Sequence, residues 1–188
     1  VLFRSAAKRL SHFVLIDALK ALPVVSKTIE TPVQPTEVKA FSPKLDVLFI
    51  PILRAGLAME PVAVDLLPDA SVYHIGLKRN EETLQAETYY QRLPELNTNR
   101  EQYIVILDPM LATAGSAVTA IGMLVKRGFS PKQIKMACLI ASPEGVKHLS
   151  ESFPDVQIYA AAVDEKLNEK GYIVPGLGDA GDRMYGTR

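Results

Sequence analysis

YIVILDPMLATAGSAVTA, running from Tyr103 to Ala120, is the stretch that decides the fold. Four β-favouring apolar residues, Ile104 to Leu107, stop abruptly at Asp108. A loop of small residues follows (Ala112, Thr113, Ala114, Gly115, Ser116), and a helical pattern begins there. An unbroken apolar run passing through such a loop into a helix is the pattern of a parallel strand buried on both faces of an α/β sheet. Small side chains let backbone N–H groups come close to a ligand, and the helix N-terminus beyond them favours negative charge. Thr113 and Ser116 add hydroxyl groups. The stretch reads as a phosphate cradle with a carboxylate at its entrance, against the alternative of an ordinary strand-to-helix turn.

Two common phosphate loops are excluded. No lysine precedes the Ser/Thr, as the loop of nucleoside triphosphatases requires, and no G-x-G-x-x-G fingerprint is present. Asp108 stands at a strand end, where the ligand crevice of an open α/β sheet lies. A carboxylate there can accept hydrogen bonds from sugar hydroxyls while the loop beyond it holds the sugar's phosphate.

Working outward, the pattern predicts a helix from Ser5, as its cap, through Leu22, ended by Pro23. Val24 to Ala40 reads as a small β-ribbon. Leu45 to Ile50 is a buried strand, Val62 to Leu67 a helix with Pro61 in its first turn, and Ser71 to Leu77 the next strand. Lys78 to Leu96 is polar and weakly periodic, the composition of a hood or lid. After the central stretch, a helix from Ser116 to Arg127 stops at Gly128. Lys135 to Ala141 reads as a strand, Pro143 to Phe153 as a helix and Val156 to Ala162 as a last strand. This order predicts an α/β fold: a mainly parallel twisted sheet flanked by helices, with a small β-ribbon or hood, in one domain spanning 1–188.

Lys plus Arg and Asp plus Glu both number 21, so the formal net charge is zero. That argues against a generic nucleic-acid or anionic-membrane binder, and the basic residues that matter must act locally. Cys138 is the single cysteine and sits in the apolar run Met136 to Ile140, the setting of a buried structural thiol. No segment approaches the ~18 apolar residues of a membrane span, and the first residues lack a secretory signal pattern; a cytoplasmic protein is expected. His12, His74 and His148 are scattered without metal-ligand spacing and read as structural or exposed.

Two further segments carry chemistry. Arg54 follows a core strand in PILRAG (Pro51 to Gly56), where its planar fork suits phosphate and Gly56 permits unusual backbone angles. The segment Gly171 to Gly181 holds four glycines and Pro175, too many for a regular helix or central strand. It is either a plain surface loop or one whose main-chain groups line a pocket.

Together these motifs resemble the type I phosphoribosyltransferases and, within them, the uracil branch: PILRAG with RNEET (Arg79 to Thr83) downstream, DPMLATAGS, and GYIVPGLGDAGDR (Gly171 to Arg183). The resemblance implies transfer of a phosphoribosyl group from 5-phosphoribosyl 1-diphosphate to uracil, giving UMP and pyrophosphate. Arg54, Asp108 and Asp179 are then the catalytic candidates. The sugar diphosphate would be held by Arg54, Arg79, Asp179 and the loop Asp108, Pro109, Met110, Leu111, Ala112, Thr113, Ala114, Gly115 and Ser116. Uracil would be held by Ile173, Gly178, Asp179 and Ala180, with 163–188 forming the base-binding loop. Mg²⁺ would be bound mainly through the substrate diphosphate and water, with no metal site of the chain's own. The resemblance also implies a homodimer or homotetramer, with no nucleic-acid or membrane partner. Two alternatives share the scaffold, a pyrimidine-sensing RNA-binding regulator and a transferase for another nucleobase. One departure stands out: the loop reads ATAGS where many members have ATGGS, so a positive φ at Ala114 would cost about 1 kcal/mol or more.

Overall fold

The computed structural model describes residues 2–79 and 86–187. Its first helix, α1 (Leu2–Leu19), turns Ala7, Ser11, Val14, Leu15 and Ala18 inward at the spacing of one helical face. It begins ahead of Ser5, which therefore lies inside the helix and does not cap it. Strands β1 (Val24–Glu30) and β2 (Pro35–Phe41) pair antiparallel with Val24 opposite Phe41. They form the expected ribbon, and β1 is exposed along its whole length.

The main sheet contains β3 (Leu45–Leu53), β4 (Ser71–Val72), β5 (Ile75–Arg79), β6 (Ala86–Gln91), β7 (Glu101–Leu107), β8 (Met110–Leu111), β9 (Ile134–Ala141) and β10 (Gln157–Val163). Its order is β10-β9-β7-β3-β5-β6, with β4 on β3 and β8 on β9. Every pairing is parallel except β5 with β6. The strand expected over Ser71–Leu77 is broken at Tyr73 and His74, where the His74 ring is 2.9 Å from a Glu60 carboxylate oxygen. A 3₁₀ turn (Ala55–Ala58) and α2 (Glu60–Leu66) follow β3; α3 (Gly115–Lys126) follows β8, and α4 (Pro143–Ser152) follows β9. The glycine-rich end contains a two-stranded ribbon, β11 (Lys166–Leu167) with β12 (Ile173–Val174), and a short helix, α5 (Ala180–Tyr185).

Alternation along the strands explains why both faces are covered. Leu48, Ile50, Ile104 and Ile106 pack with Ile121 and Leu124 of α3 and Leu149 of α4. Their neighbours Val47, Phe49, Val105 and Leu107 pack with Leu15 of α1 and Val62 of α2. Successive side chains point to opposite faces, so an all-apolar strand feeds two cores at once. Cys138 is fully buried in the first core. Burial, with the charge of Asp108 nearby, pushes its thiol up to about 12, so it is an inert packing group.

Phe49 has no exposed surface, whereas Val33 in the ribbon turn is 90% exposed. Phe49→Ala is expected to lower the unfolding free energy by about 3–5 kcal/mol. Val33→Ser is expected to change it by no more than about 0.5 kcal/mol. Urea unfolding midpoints check both.

Candidate active site

Strands β3 and β7 are paired from Leu45 with Glu101 to Pro51 with Leu107, so they finish side by side. From β3 the chain moves outward to β5 and β6, then re-enters at β7 and continues to β9 and β10 on the other side. The boundary between β3 and β7 is the point where the winding reverses, and the carboxyl ends of such a pair flank the ligand crevice of an open sheet. Arg54 emerges just past one strand end and Asp108 from the other.

Asp108 is half-buried, and one of its carboxylate oxygens accepts a hydrogen bond from the Met110 N–H at 3.3 Å. Burial raises its pKa from 3.8 to about 7; the Met110 bond opposes the shift and the charge of Asp179 adds to it. The loop beyond encloses a small cavity of about 50 Å³, lined by Asp108 and residues 110–117. Ala114, the residue before α3, has φ 64° and ψ 1°. It is the only non-glycine residue at positive φ among the described residues. The left-handed backbone that the ATAGS loop put in question is therefore present.

Gly56 serves a different purpose from the one its sequence suggests. Its φ is not positive, but a Cβ there would lie 2.4 Å from the Leu107 carbonyl oxygen and 3.0 Å from the Pro51 Cα. Its role is close approach: it seats the Arg54 loop against the end of β7. The Leu53–Arg54 peptide is cis.

The glycine-rich end reaches the same crevice. A terminal guanidinium nitrogen of Arg54 lies 3.3 Å from an Asp182 carboxylate oxygen, and the Arg54 carbonyl accepts a hydrogen bond from the Tyr185 hydroxyl at 3.2 Å. Asp179 caps α5, accepting from the Asp182 N–H at 2.8 Å. Gly171, Gly176 and Gly178 all have positive φ, and the Gly176 N–H donates to an Asp164 carboxylate oxygen at 2.9 Å. The side chains of Ile173 and Ala180 are buried, so what they can offer a ligand is main chain.

The family model for uracil phosphoribosyltransferase matches residues 1–187. The chain belongs to the uracil phosphoribosyltransferase family. A uracil phosphoribosyltransferase of Limosilactobacillus fermentum is 50% identical over 186 residues, which is 99% of this chain and 87% of that protein. One from Clostridium perfringens strain SM101 is likewise 50% identical with the same coverage. Among solved structures, protein AQ2163 of Aquifex aeolicus superposes with a TM-score of 0.86 at 42% identity, over 97% of this chain and 85% of that one. A hypoxanthine-guanine phosphoribosyltransferase of Bacillus anthracis matches with a TM-score of 0.54 over 89% of this chain and 83% of that one. At 9% identity it is evidence for the shared type I phosphoribosyltransferase fold alone.

Set on this uracil phosphoribosyltransferase fold, the candidates divide clearly. Arg54, Asp108, the loop to Ser116 and Asp179 gather at one end of the sheet. Arg79 ends β5, and the rest of its motif, 80–83, lies outside the described residues. Asp182 and Tyr185, the partners of Arg54, were not among the candidates, because nothing in the sequence marks contacts between positions 128 and 131 apart. A separate cavity of about 640 Å³ is lined by Asp46, Arg92, Gln102 and neighbours at the amino ends of β3 and β7. It is at the wrong end of the strands to serve the Asp108 crevice. Among the described residues, no three His, Cys, Asp or Glu side chains gather as a metal site.

Two outcomes follow from this geometry. Ala114→Gly removes the left-handed penalty and is expected to raise the unfolding free energy by about 1 kcal/mol in thermal or urea melts. For Asp108, the native carboxyl keeps a proton that the unfolded chain loses near pH 4, so its presence lowers stability as pH rises from about 4 to about 7. Asp108→Asn is therefore expected to melt like the parent at pH 4 and several degrees higher at pH 8.

Proposed function

We propose that this chain transfers the 5-phosphoribosyl group from 5-phosphoribosyl 1-diphosphate to uracil, forming UMP and releasing pyrophosphate. One observation carries the reading at this site. Arg54 and the Asp108–Ser116 loop leave neighbouring strands at the same end, with Asp179 close enough for its charge to reach Asp108. Family membership over nearly the whole chain supports the same reaction.

In the transfer, the bond from ribose C1 to the diphosphate oxygen breaks while C1 bonds to a ring nitrogen of uracil, which loses its proton. Positive charge develops on the sugar as negative charge gathers on the leaving group, so the site must stabilise both. The loop from Met110 to Ser116 receives the 5′-phosphate on its amides and the start of α3. Asp108 binds the ribose hydroxyls and balances the cationic ring. Arg54 takes the diphosphate with its planar fork, exchanging Asp182 for the ligand, and Arg79 adds a second cation to the same group.

The donor set suits Mg²⁺, which takes one or two carboxylates and fills its other positions with phosphate oxygens and water. Mg²⁺ held mainly by the substrate diphosphate and water, in the crevice that Asp108 and Asp179 share, would neutralise the leaving group. The segment 163–188 forms the base-binding loop. Ile173, Gly178 and Ala180 read the uracil edge through main-chain groups, with Asp179 between base and sugar. Exposed apolar residues on α1 and the ribbon, among them Phe13, Ile16 and Val33, support assembly as a homodimer or homotetramer. No helix among the described residues is long and apolar enough to cross a membrane.

The test is incubation with Mg²⁺, 5-phosphoribosyl 1-diphosphate and one base at a time, scoring pyrophosphate. Uracil and 5-fluorouracil are expected to be turned over, since fluorine at C5 leaves both carbonyls and N3–H in place. Cytosine is expected to react at least about 10³-fold more slowly, because its amino group sets a donor against a donor. Equal turnover of cytosine or a purine would sink the assignment.

A further inference from the structure

The phosphate loop is held from behind by one face of α4. Ser142, the cap of that helix, is fully buried. Its N–H donates to the Leu111 carbonyl at 2.9 Å and its hydroxyl donates to the Ala112 carbonyl at 2.6 Å. The same oxygen accepts from the Gly145 N–H at 2.9 Å, which locks its rotamer. Three residues further on, the Nδ1 of His148 is 2.8 Å from the Thr113 carbonyl oxygen. A carbonyl only accepts, so this nitrogen carries the proton.

Between them, a Cβ on Gly145 would come within 2.2 Å of the Ala112 oxygen and 2.7 Å of the Leu111 oxygen. The helix lies so close that only glycine fits. Positions 142, 145 and 148 recur every three residues and so share one face.

Three successive loop carbonyls, those of Leu111, Ala112 and Thr113, thus point at α4. In a trans peptide the N–H of the next residue points opposite to the carbonyl. The amides of Ala112, Thr113 and Ala114 are thereby turned away from α4. The small cavity lined by Asp108 and residues 110–117 has no α4 residue in its wall.

We propose that Ser142, Gly145 and His148 are positioning residues for the sugar substrate. By holding three carbonyls behind the loop, they aim its amides at the 5′-phosphate. This rests on the reading of residues 110–116 as the 5′-phosphate site. The same helix also bears on the base side, where a Glu144 carboxylate oxygen accepts from the Leu167 N–H at 3.0 Å.

The test measures ribose 5-phosphate binding by titration calorimetry, and steady-state kinetics with 5-phosphoribosyl 1-diphosphate and uracil. The proteins are the wild-type chain, Ser142→Ala, His148→Leu and His148→Asn. His148 is exposed, so its variants fold even if Ser142→Ala does not. Asparagine keeps an N–H donor near the place of Nδ1.

His148→Leu is expected to weaken ribose 5-phosphate binding and raise KM for the sugar diphosphate by about five- to tenfold. KM for uracil and kcat should stay within about twofold, and His148→Asn should restore most of the loss. Unchanged sugar-phosphate binding in His148→Leu overturns the positioning role, as does an equal rise in both KM values or no rescue by asparagine. Absence of ribose 5-phosphate binding by the wild-type chain overturns the reading of the loop itself, and the proposal with it.

Discussion

The parallel pairing of β3 with β7 is the constraint on which the rest depends. Seven residue pairs hold the two strands in register, and alternate side chains of each enter opposite cores. A slip of one residue would send every side chain to the other face, exchanging Phe49 for Leu48 and Val105 for Ile104 in their packing. Both faces are filled, so neither strand can move without emptying a core. Arg54 and the Asp108 loop are therefore set by the sheet, and irregular segments carry the chemistry on a rigid frame. Gly56 completes the arrangement by letting the first of these segments press on the last carbonyl of β7.

What the frame stabilises is a site that is unfavourable in isolation. Ala114 holds a left-handed backbone, and half-buried Asp108 is desolvated, with the charge of Asp179 adding to the effect, so its pKa is raised to about 7. Such local conflicts collect at functional sites, where surrounding structure over-determines them. The raised pKa of Asp108 has a direct chemical meaning. Any positive charge entering the crevice favours the ionised form and draws the pKa back down.

How much of this was legible in the sequence depended on how local the signal was. The run Ile104–Leu107, the loop after it and the stop at Gly128, with φ 95°, are written in consecutive residues and appear as read. The motifs also placed Arg54 and Asp108 at strand ends. Gly56 marks a limit, because a sequence does not separate a glycine needed for its backbone angle from one needed for space. The density of glycine before Ala180 hid α5, whose Asp179 cap and Asp182 partner for Arg54 emerge only in three dimensions. His148 shows the same limit. As a lone histidine it read as structural or exposed, and its bond to Thr113, 35 positions away, belongs to tertiary packing.

Zero net charge and an anionic substrate are reconciled by where the charges stand. Arg54 stands at the crevice, where its guanidinium is matched by the Asp182 carboxylate. Uracil itself needs no opposing charge, because it is neutral and presents two carbonyls and ring N–H groups. A loop rich in glycine at positive φ exposes its own amides and carbonyls at low steric cost. The nearby acidic side chain of Asp179 is partly engaged by the Asp182 N–H, which ties it to the start of α5. The β11–β12 ribbon, the Gly176–Asp164 bond and the Glu144–Leu167 bond brace this loop from three sides of its sequence, so its backbone groups stand in fixed directions.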